Sequence, residues 1–229
     1  MNLTLPPLDH SASGGACDVV FSEDPQVFGA IARREVGLAV WCRRPEDDLA
    51  EWLGGLPVEK LPCGRLLLRP HQAQSAVAAL LQDAQGDAAD VATEGLRRRL
   101  AADVARLVRV FADLSGAPMV DLRLEAIQHD ACWRFHYDHV RLRLVCTYSG
   151  PATQWVPAEA REAALAEQRH YDGPLRELPH FAGALFKGAL APGQVGVVHR
   201  SPPIAGTGKS RLFLCLNEPS SVSPLPWEG

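Results

Sequence analysis

No apolar stretch in this 229-residue chain reaches the roughly eighteen residues that a membrane-spanning helix needs, so no membrane partner is expected. The opening Met1-Asn2-Leu3-Thr4-Leu5-Pro6-Pro7 lacks the charged start and apolar run of a secretion leader, which points to a cytoplasmic location. A basic excess is also missing. With 23 Lys and Arg against 27 Asp and Glu the formal charge is −4, and this argues against a nucleic-acid partner, because phosphate-backbone binders gather cations on one face. The one basic run, Arg97-Arg98-Arg99, falls in a helical pattern where a solvated face accounts for it. No C-x-x-C pair occurs among Cys17, Cys42, Cys63, Cys132, Cys146 and Cys215, so the cysteines read as reduced core thiols rather than as disulfides or a structural zinc site. Cys132, four residues before His136, is expected to be a packing residue. Internal repeats and low-complexity segments are absent as well.

What the chain does have is apolar content. At 47% hydrophobic it can bury one large core, and an all-β barrel with a helical layer fits this length as a single domain, residues 1–229. The pattern is helical first, then β. Residues 25–34 suit a short helix opened by Asp24, 36–42 a buried strand, and 46–53 and 71–85 further helices. Residues 93–114 carry Leu96, Leu100, Val104, Leu107, Val108 and Phe111 three and four apart, which makes one long amphipathic helix ending near Ser115-Gly116. Beyond Pro118 the period becomes two: Val120, Leu122, Leu124 and Ala126 alternate with Asp121, Arg123 and Glu125, and a run of strands begins. Residues 158–169 form a helical insert between strands, and the Pro- and Ser-rich end reads as a loosely held tail. The expected layout is a helical supporting layer over 1–115, a β core over 116–217 and a tail over 218–229. Leu100, Val104, Leu107 and Phe111 should be buried against the strands. The N-terminal half has no cluster with catalytic spacing, since His71 stands alone beside Pro70 and His10 lies in an end that reads as flexible.

The chemistry gathers in the second half. Phe135-His136-Tyr137-Asp138 contains a His-x-Asp pair, and on a strand residues two apart share a face, so imidazole and carboxylate can converge on one point. His199, in Val197-Val198-His199-Arg200-Ser201-Pro202-Pro203, would supply a third ligand. Two imidazoles and one carboxylate on one face of an octahedral ion leave its other positions open, an arrangement suited to non-haem Fe(II) oxygen chemistry. Twelve residues after His199, in Ser210-Arg211-Leu212-Phe213-Leu214, comes Arg211, whose guanidinium could hold a carboxylate through two parallel hydrogen bonds. Arg211, Phe213, Cys215 and Asn217 share one face of this strand and Leu212, Leu214 and Leu216 the other, which turns Arg211 toward a polar interior. Lys209, ten residues after His199, is the alternative anion anchor. It sits in a Gly-rich loop, and Arg211 is preferred.

The order His-x-Asp, long gap, His, basic residue resembles the 2-oxoglutarate/Fe(II) dioxygenases built on the double-stranded β-helix, the prolyl-hydroxylase-like members in particular. The strand Leu142-Arg143-Leu144-Val145-Cys146-Thr147-Tyr148 and the block Ser149-Gly150-Pro151-Ala152-Thr153-Gln154-Trp155 are similar to the strand, turn and "G-x-x-T-x-aromatic" strand that follow the pair there. Ala191-Pro192-Gly193-Gln194-Val195-Gly196-Val197-Val198-His199 resembles the "P-x-G-x…H" hairpin, and Pro203-Ile204-Ala205-Gly206-Thr207-Gly208-Lys209 the "P-V…G-x-K" stretch, where such members place a carboxylate-binding lysine. More closely, the C-terminal half resembles an uncharacterised bacterial family marked by F-H-x-D, T-Y-x-G-x-x-T-x-W, F-K-G and H-R-S-P-P, a family that brings no established reaction. The resemblance covers roughly residues 116–217.

It implies an α+β fold, a jelly-roll or cupin-like double-stranded β-helix with N-terminal helices on its major sheet. It also implies an oxygenase in which His136, Asp138 and His199 hold Fe(II) while 2-oxoglutarate chelates the metal and meets Arg211 or Lys209 with its far carboxylate. Tyr148, Thr147, Arg143 and Trp155 would line the pocket, Tyr148 among the cosubstrate-binding residues. The substrate would be a small molecule or peptide, and the retained Asp138 argues against halogenation, where that carboxylate is replaced. Two alternatives stay open. The same ligands could hold Zn(II) or another divalent ion in a protein of metal homeostasis without oxygenase activity, toward which the closer family's genomic setting points. Otherwise the barrel is a non-catalytic binding module.

Overall fold

Strands do follow Pro118, and their alternation decides which side chains meet the helices and which enter the barrel. The computed structural model describes residues 18–87, 90–192 and 196–229. Cys17, His10 and the Gly193-Gln194-Val195 tip of the expected hairpin therefore lie outside the described residues. In chain order, β1 (Val19–Ser22), a 3-10 helix (Pro25–Ala32), β2 (Leu38–Trp41), α1 (Asp47–Gly55), β3 (Gly64–Leu68), α2 (Ala73–Gln85) and α3 (Val91–Ser115) come first. They are followed by β4 (Val120–Ile127), β5 (Leu142–Ser149), β6 (Gln154–Trp155), α4 (Arg161–Glu167), β7 (Arg176–Glu177), β8 (Gly183–Lys187), β9 (His199–Arg200) and β10 (Arg211–Asn217).

Two sheets result. The larger has the order β1-β2-β8-β5-β10-β4-β3, the smaller β7-β6-β9, with His136 adding one antiparallel bridge to β9. From β4 onward the chain alternates between them: β4 in the larger, His136 in the smaller, β5 in the larger, β6 and β7 in the smaller, β8 in the larger, β9 in the smaller, β10 in the larger. That winding is a double-stranded β-helix, or jelly roll. The N-terminal half widens the larger sheet with β1 and β2 at one edge and β3 at the other, and the fold class is α+β.

Side-chain parity separates two cores. Leu122 and Leu124 of β4, Leu144, Cys146 and Tyr148 of β5, and Leu212, Leu214 and Leu216 of β10 join Leu100, Val104, Leu107 and Phe111 of α3 in one buried cluster outside the barrel. On the other face Val145, Phe213, Cys215, Ala184 and Phe186 meet Trp155, Leu178 and Val197 between the sheets. Helix α3 forms where its apolar stripe demands. Asp90 caps it by accepting from Thr93 N at 2.8 Å, and Gly116 ends it in the left-handed region at φ 69°, a conformation that costs glycine little.

Several local expectations are corrected. Residues 25–32 form a 3-10 helix, still capped by Asp24, whose carboxylate accepts from Gln26 N at 2.9 Å. Of the basic run only Arg98 is a solvated side chain. Arg97 is buried and donates to Gln85 Oε1 and to the Gly86 carbonyl, each at 2.9 Å, tying α3 to the end of α2, while Arg99 pairs with Asp48 on α1. Among the described cysteines only Cys146 and Cys215 are buried. Cys132 is exposed and holds φ 45°, so it is a turn residue and not a packing one. The C-terminal segment is docked rather than loose: Trp227 N donates to the Leu67 carbonyl at 2.7 Å, Gln72 Nε2 to the Trp227 carbonyl at 3.3 Å, and Ser223 Oγ to Asp121 Oδ2 at 2.6 Å. It thereby covers the open side of edge strand β3, which would otherwise present unpaired backbone groups.

Candidate metal centre

His136 and Asp138 do not share a strand. His136 makes a single bridge and Asp138 lies in the loop that leads to β5. Convergence comes from pairing instead. His136 N donates to the His199 carbonyl at 3.0 Å and His199 N to the His136 carbonyl at 3.1 Å, so the two residues are direct antiparallel partners whose side chains leave on one face. Their ring centroids are 4.7 Å apart. The loop carrying Asp138 is pinned by the end of β8: Ala189 N donates to the Asp138 carbonyl at 2.8 Å and Gly188 N to the Arg141 carbonyl at 3.0 Å. A Cβ on Gly188 would meet the Val140 carbonyl oxygen at 2.0 Å, which is the physical content of the F-K-G tripeptide.

Each imidazole is oriented by its own backbone. His136 Nδ1 lies 2.8 Å from the Arg134 carbonyl and His199 Nδ1 3.0 Å from the Val197 carbonyl. A proton on Nδ1 satisfies both contacts and leaves both Nε2 atoms bare, the tautomer a metal ligand requires. Those nitrogens face one carboxylate, His136 Nε2 at 3.6 Å from Asp138 Oδ1 and His199 Nε2 at 3.3 Å from Oδ2. The ligand atoms of all three residues lie within 4.8 Å of one another. Ligand bonds of about 2.0–2.2 Å place adjacent ligands of an octahedral ion about 3 Å apart, so the three side chains would have to draw together to hold an ion.

Asp138 is 3% exposed. Burial opposes its charge, but in the metal-free chain the two imidazoles, when protonated at Nε2, and the Arg143 guanidinium hold its carboxyl far below the usual carboxylate range. Asp138 in turn raises the His136 imidazole above its ordinary value, against the opposing effect of burial. Asp138 Oδ2 is buried with no hydrogen-bond donor among the described residues.

A second unsatisfied group lies at the start of β10. Arg211 is 0% exposed. Its Nη2 donates to Thr147 Oγ1 at 3.1 Å and Thr153 Oγ1 at 3.2 Å, while Nε and Nη1 are buried without a partner. Burial pushes its pKa down to about 10, so it remains a cation near neutrality. Other orphaned guanidinium nitrogens among the described residues belong to side chains that have an acid beside them, Arg161 with Asp18 and Arg123 with Glu125. Among the described residues Arg211 has no acid within ion-pair distance, and Glu125 and Glu177 act on it only from farther off. An uncompensated buried cation costs several kcal/mol, of the order that a bound carboxylate would repay. Its backbone is seated by Gly150, at φ 74°, where a Cβ would lie 1.9 Å from the Ser210 carbonyl oxygen and 2.8 Å from Arg211 Cα. That contact explains the glycine of the T-Y-x-G block.

Thr147 and Trp155, two of the residues expected to line the pocket, face into the barrel, and Arg143 reaches Asp138. Tyr148 does not. It points to the helical layer, where its hydroxyl donates to Asp103 Oδ2 at 2.7 Å, because it shares the parity of Leu144 and Cys146. Lys209 is exposed in the turn that contains Gly206 and Gly208, both at positive φ.

A family profile matches residues 22–217. The chain belongs to DUF1826, described as a protein of unknown function. The match thus starts well upstream of residue 116, where the sequence resemblance began, and takes in the helical half. No curated protein matches the sequence. Among solved structures, the dioxygenase for auxin oxidation 1 from Arabidopsis thaliana in complex with 2-oxoglutarate is similar at 12% identity, over 91% of this chain and 95% of that one, with a TM-score of 0.45. A Pseudomonas putida prolyl-4-hydroxylase is similar at 16% identity, over 86% and 94%, with a TM-score of 0.41. A full-length Neurospora crassa protein in complex with alpha-KG is similar at 12% identity, over 84% and 76%, with a TM-score of 0.36.

In this DUF1826 chain, sequence reading missed two site residues and the role of a third. Thr153 holds Arg211, and Asn217 Oδ1 accepts from Arg143 Nε at 2.8 Å. Arg143, expected only to line the pocket, bonds the Asp138 carboxylate. Parity was the available signal: Arg143 is in step with inward Val145 and Thr147, and a cation on an inward face needs a reason.

Proposed function

We propose that this DUF1826 member is an Fe(II)- and 2-oxoglutarate-dependent oxygenase. His136, Asp138 and His199 hold the ion through two imidazole nitrogens and a carboxylate oxygen, and Arg211, braced by Thr147 and Thr153, receives the far carboxylate of the keto acid. The observation that carries the reading is one barrel interior that presents both a His-Asp-His donor set and a buried guanidinium with, among the described residues, no acid within ion-pair distance. The donor set suits a divalent ion that keeps open positions, and the Arg211 cation suits an acid with a second, remote carboxylate.

When bound, the iron and keto acid supply oxidation of a C–H bond coupled to decarboxylation of the keto acid. The chain's own part is to fix ligands and exclude water. Backbone carbonyls of Arg134 and Val197 keep both Nε2 atoms available, Arg143 bonds and orients the Asp138 carboxylate, and Phe186 packs on the His199 ring at 4.3 Å. The substrate class, a small molecule or peptide, and the cytoplasmic location belong to the same proposal, as does the division into a helical layer and a β core within one domain.

Elemental analysis of protein purified anaerobically tests the centre. One divalent ion per chain is expected, with iron the metal that supports keto-acid binding, and His136→Ala and His199→Ala should each retain less than about a tenth of it, since a site of three protein ligands loses one third of its donors. Stoichiometric zinc that iron cannot replace would favour the metal-homeostasis reading. No metal in the wild type at micromolar supply would end both.

A further inference from the structure

The two oxygens of Asp138 are not equivalent. Oδ1 accepts a hydrogen bond from Arg143 Nη1 and lies 3.6 Å from His136 Nε2, whereas Oδ2 is buried with no hydrogen-bond donor among the described residues and faces His199 Nε2 at 3.3 Å. Arg143 is itself seated. Its Nε donates to Asn217 Oδ1 at 2.8 Å, and Arg143 and Asn217 are direct partners in the pairing of β5 with β10. A guanidinium gripped at Nε by one strand and bonded at Nη1 to the carboxylate leaves the carboxylate little freedom to rotate.

We propose that Arg143 is a positioning residue that restricts Asp138 to one metal bond, through Oδ2, and so keeps open the coordination positions that the keto acid needs. The inference rests on the metal and keto-acid reading above and deepens it. Carboxylates bind divalent ions through either one or two oxygens. With two imidazoles and one carboxylate oxygen an octahedral ion keeps three positions, of which a chelating keto acid takes two. A carboxylate bound through both oxygens would leave only two positions in all, and the keto acid would have to displace a protein ligand or fill every position left. Oδ1 engaged by a cation is a poor second ligand, because metal and guanidinium would compete for the same lone pairs. Asn217, on the strand that begins with Arg211, serves by holding Arg143.

The test uses the full chain loaded with Co(II), whose visible absorption reports coordination number, followed by titration with 2-oxoglutarate. In Arg143→Met the metal should bind at least as tightly as in wild type, since a neighbouring cation has gone and a second oxygen has been freed. The Co(II) spectrum should change before any keto acid is added, and keto-acid affinity should fall by about tenfold or more. Arg143→Lys, which restores a cation at Oδ1, should recover most of that loss. Asn217→Ala covers the case in which Arg143→Met does not fold: it keeps the charge pair and frees the guanidinium, and should weaken keto-acid binding with Co(II) affinity unchanged. Wild-type keto-acid affinity and an unchanged spectrum in the folded Arg143→Met protein, or in Asn217→Ala if that is the variant that folds, would overturn the role of Arg143 alone. So would parallel loss of Co(II) and keto acid, which is the result of a purely structural arginine. A wild-type chain that binds no Co(II) would overturn this inference together with the metal reading beneath it.

Discussion

Arg211→Met is expected to abolish 2-oxoglutarate binding to the metal-loaded protein while leaving folding stability unchanged or higher. The two halves of that result have one cause. A buried guanidinium with two nitrogens unpartnered and no acid within ion-pair distance among the described residues is retained at a cost to the fold, and exchanging buried ions for apolar side chains of similar volume is often neutral or stabilising by about 1–4 kcal/mol. Arg211→Lys keeps the charge but loses the planar fork, and should weaken keto-acid affinity by about 10- to 100-fold, the value of one or two charge-assisted hydrogen bonds. Lys209→Ala, at an exposed turn position, should change it by less than about twofold. Calorimetric titration with thermal melts of the same proteins separates the cases. An Arg211→Met chain destabilised by several kcal/mol that still binds keto acid would make Arg211 a structural residue, and a larger loss in Lys209→Ala would move the anchor to Lys209.

Leu107→Ala should lower unfolding free energy by about 2–5 kcal/mol, as truncation of a fully buried leucine does, without changing metal affinity per folded molecule. Leu107 is 0% exposed and lies in the cluster that joins α3 to Leu122, Leu144 and Leu214 of the larger sheet. Denaturant unfolding reads the first effect and metal titration the second. If helices and barrel share this core, limited proteolysis near residue 116 should not release two independently stable fragments. Such fragments, or a Leu107→Ala cost below about 1 kcal/mol, would contradict a shared core.

The parts of the fold that could be read in advance are those governed by local periodicity. The stripe of α3 and the alternation of Leu212, Leu214 and Leu216 against Arg211, Phe213 and Cys215 are one-dimensional patterns, and they settle both the helix-facing core and the burial of Arg211. His136, Asp138 and His199 meet as their residue types suggested, but by another route: a reciprocal backbone pair between two segments and a loop pinned from β8, neither of which has a periodic signature. Tyr148 shows how parity outranks proximity in sequence, since one step along β5 from Thr147 carries it to the far side of the sheet. The docking of Trp227 and Ser223 on β3 and β4 and the exposure of Cys132 depend on long-range contacts and on a left-handed backbone position, which composition does not encode.

The most direct test of the central claim is titration of 2-oxoglutarate, under anaerobic conditions, into the chain with and without Fe(II). The proposed function predicts saturable binding at one keto acid per chain that requires the metal, because in that reading one ligand engages both the His136, Asp138 and His199 donor set and the Arg211 cation. Tight metal binding with no measurable keto-acid binding in any metal form would contradict it.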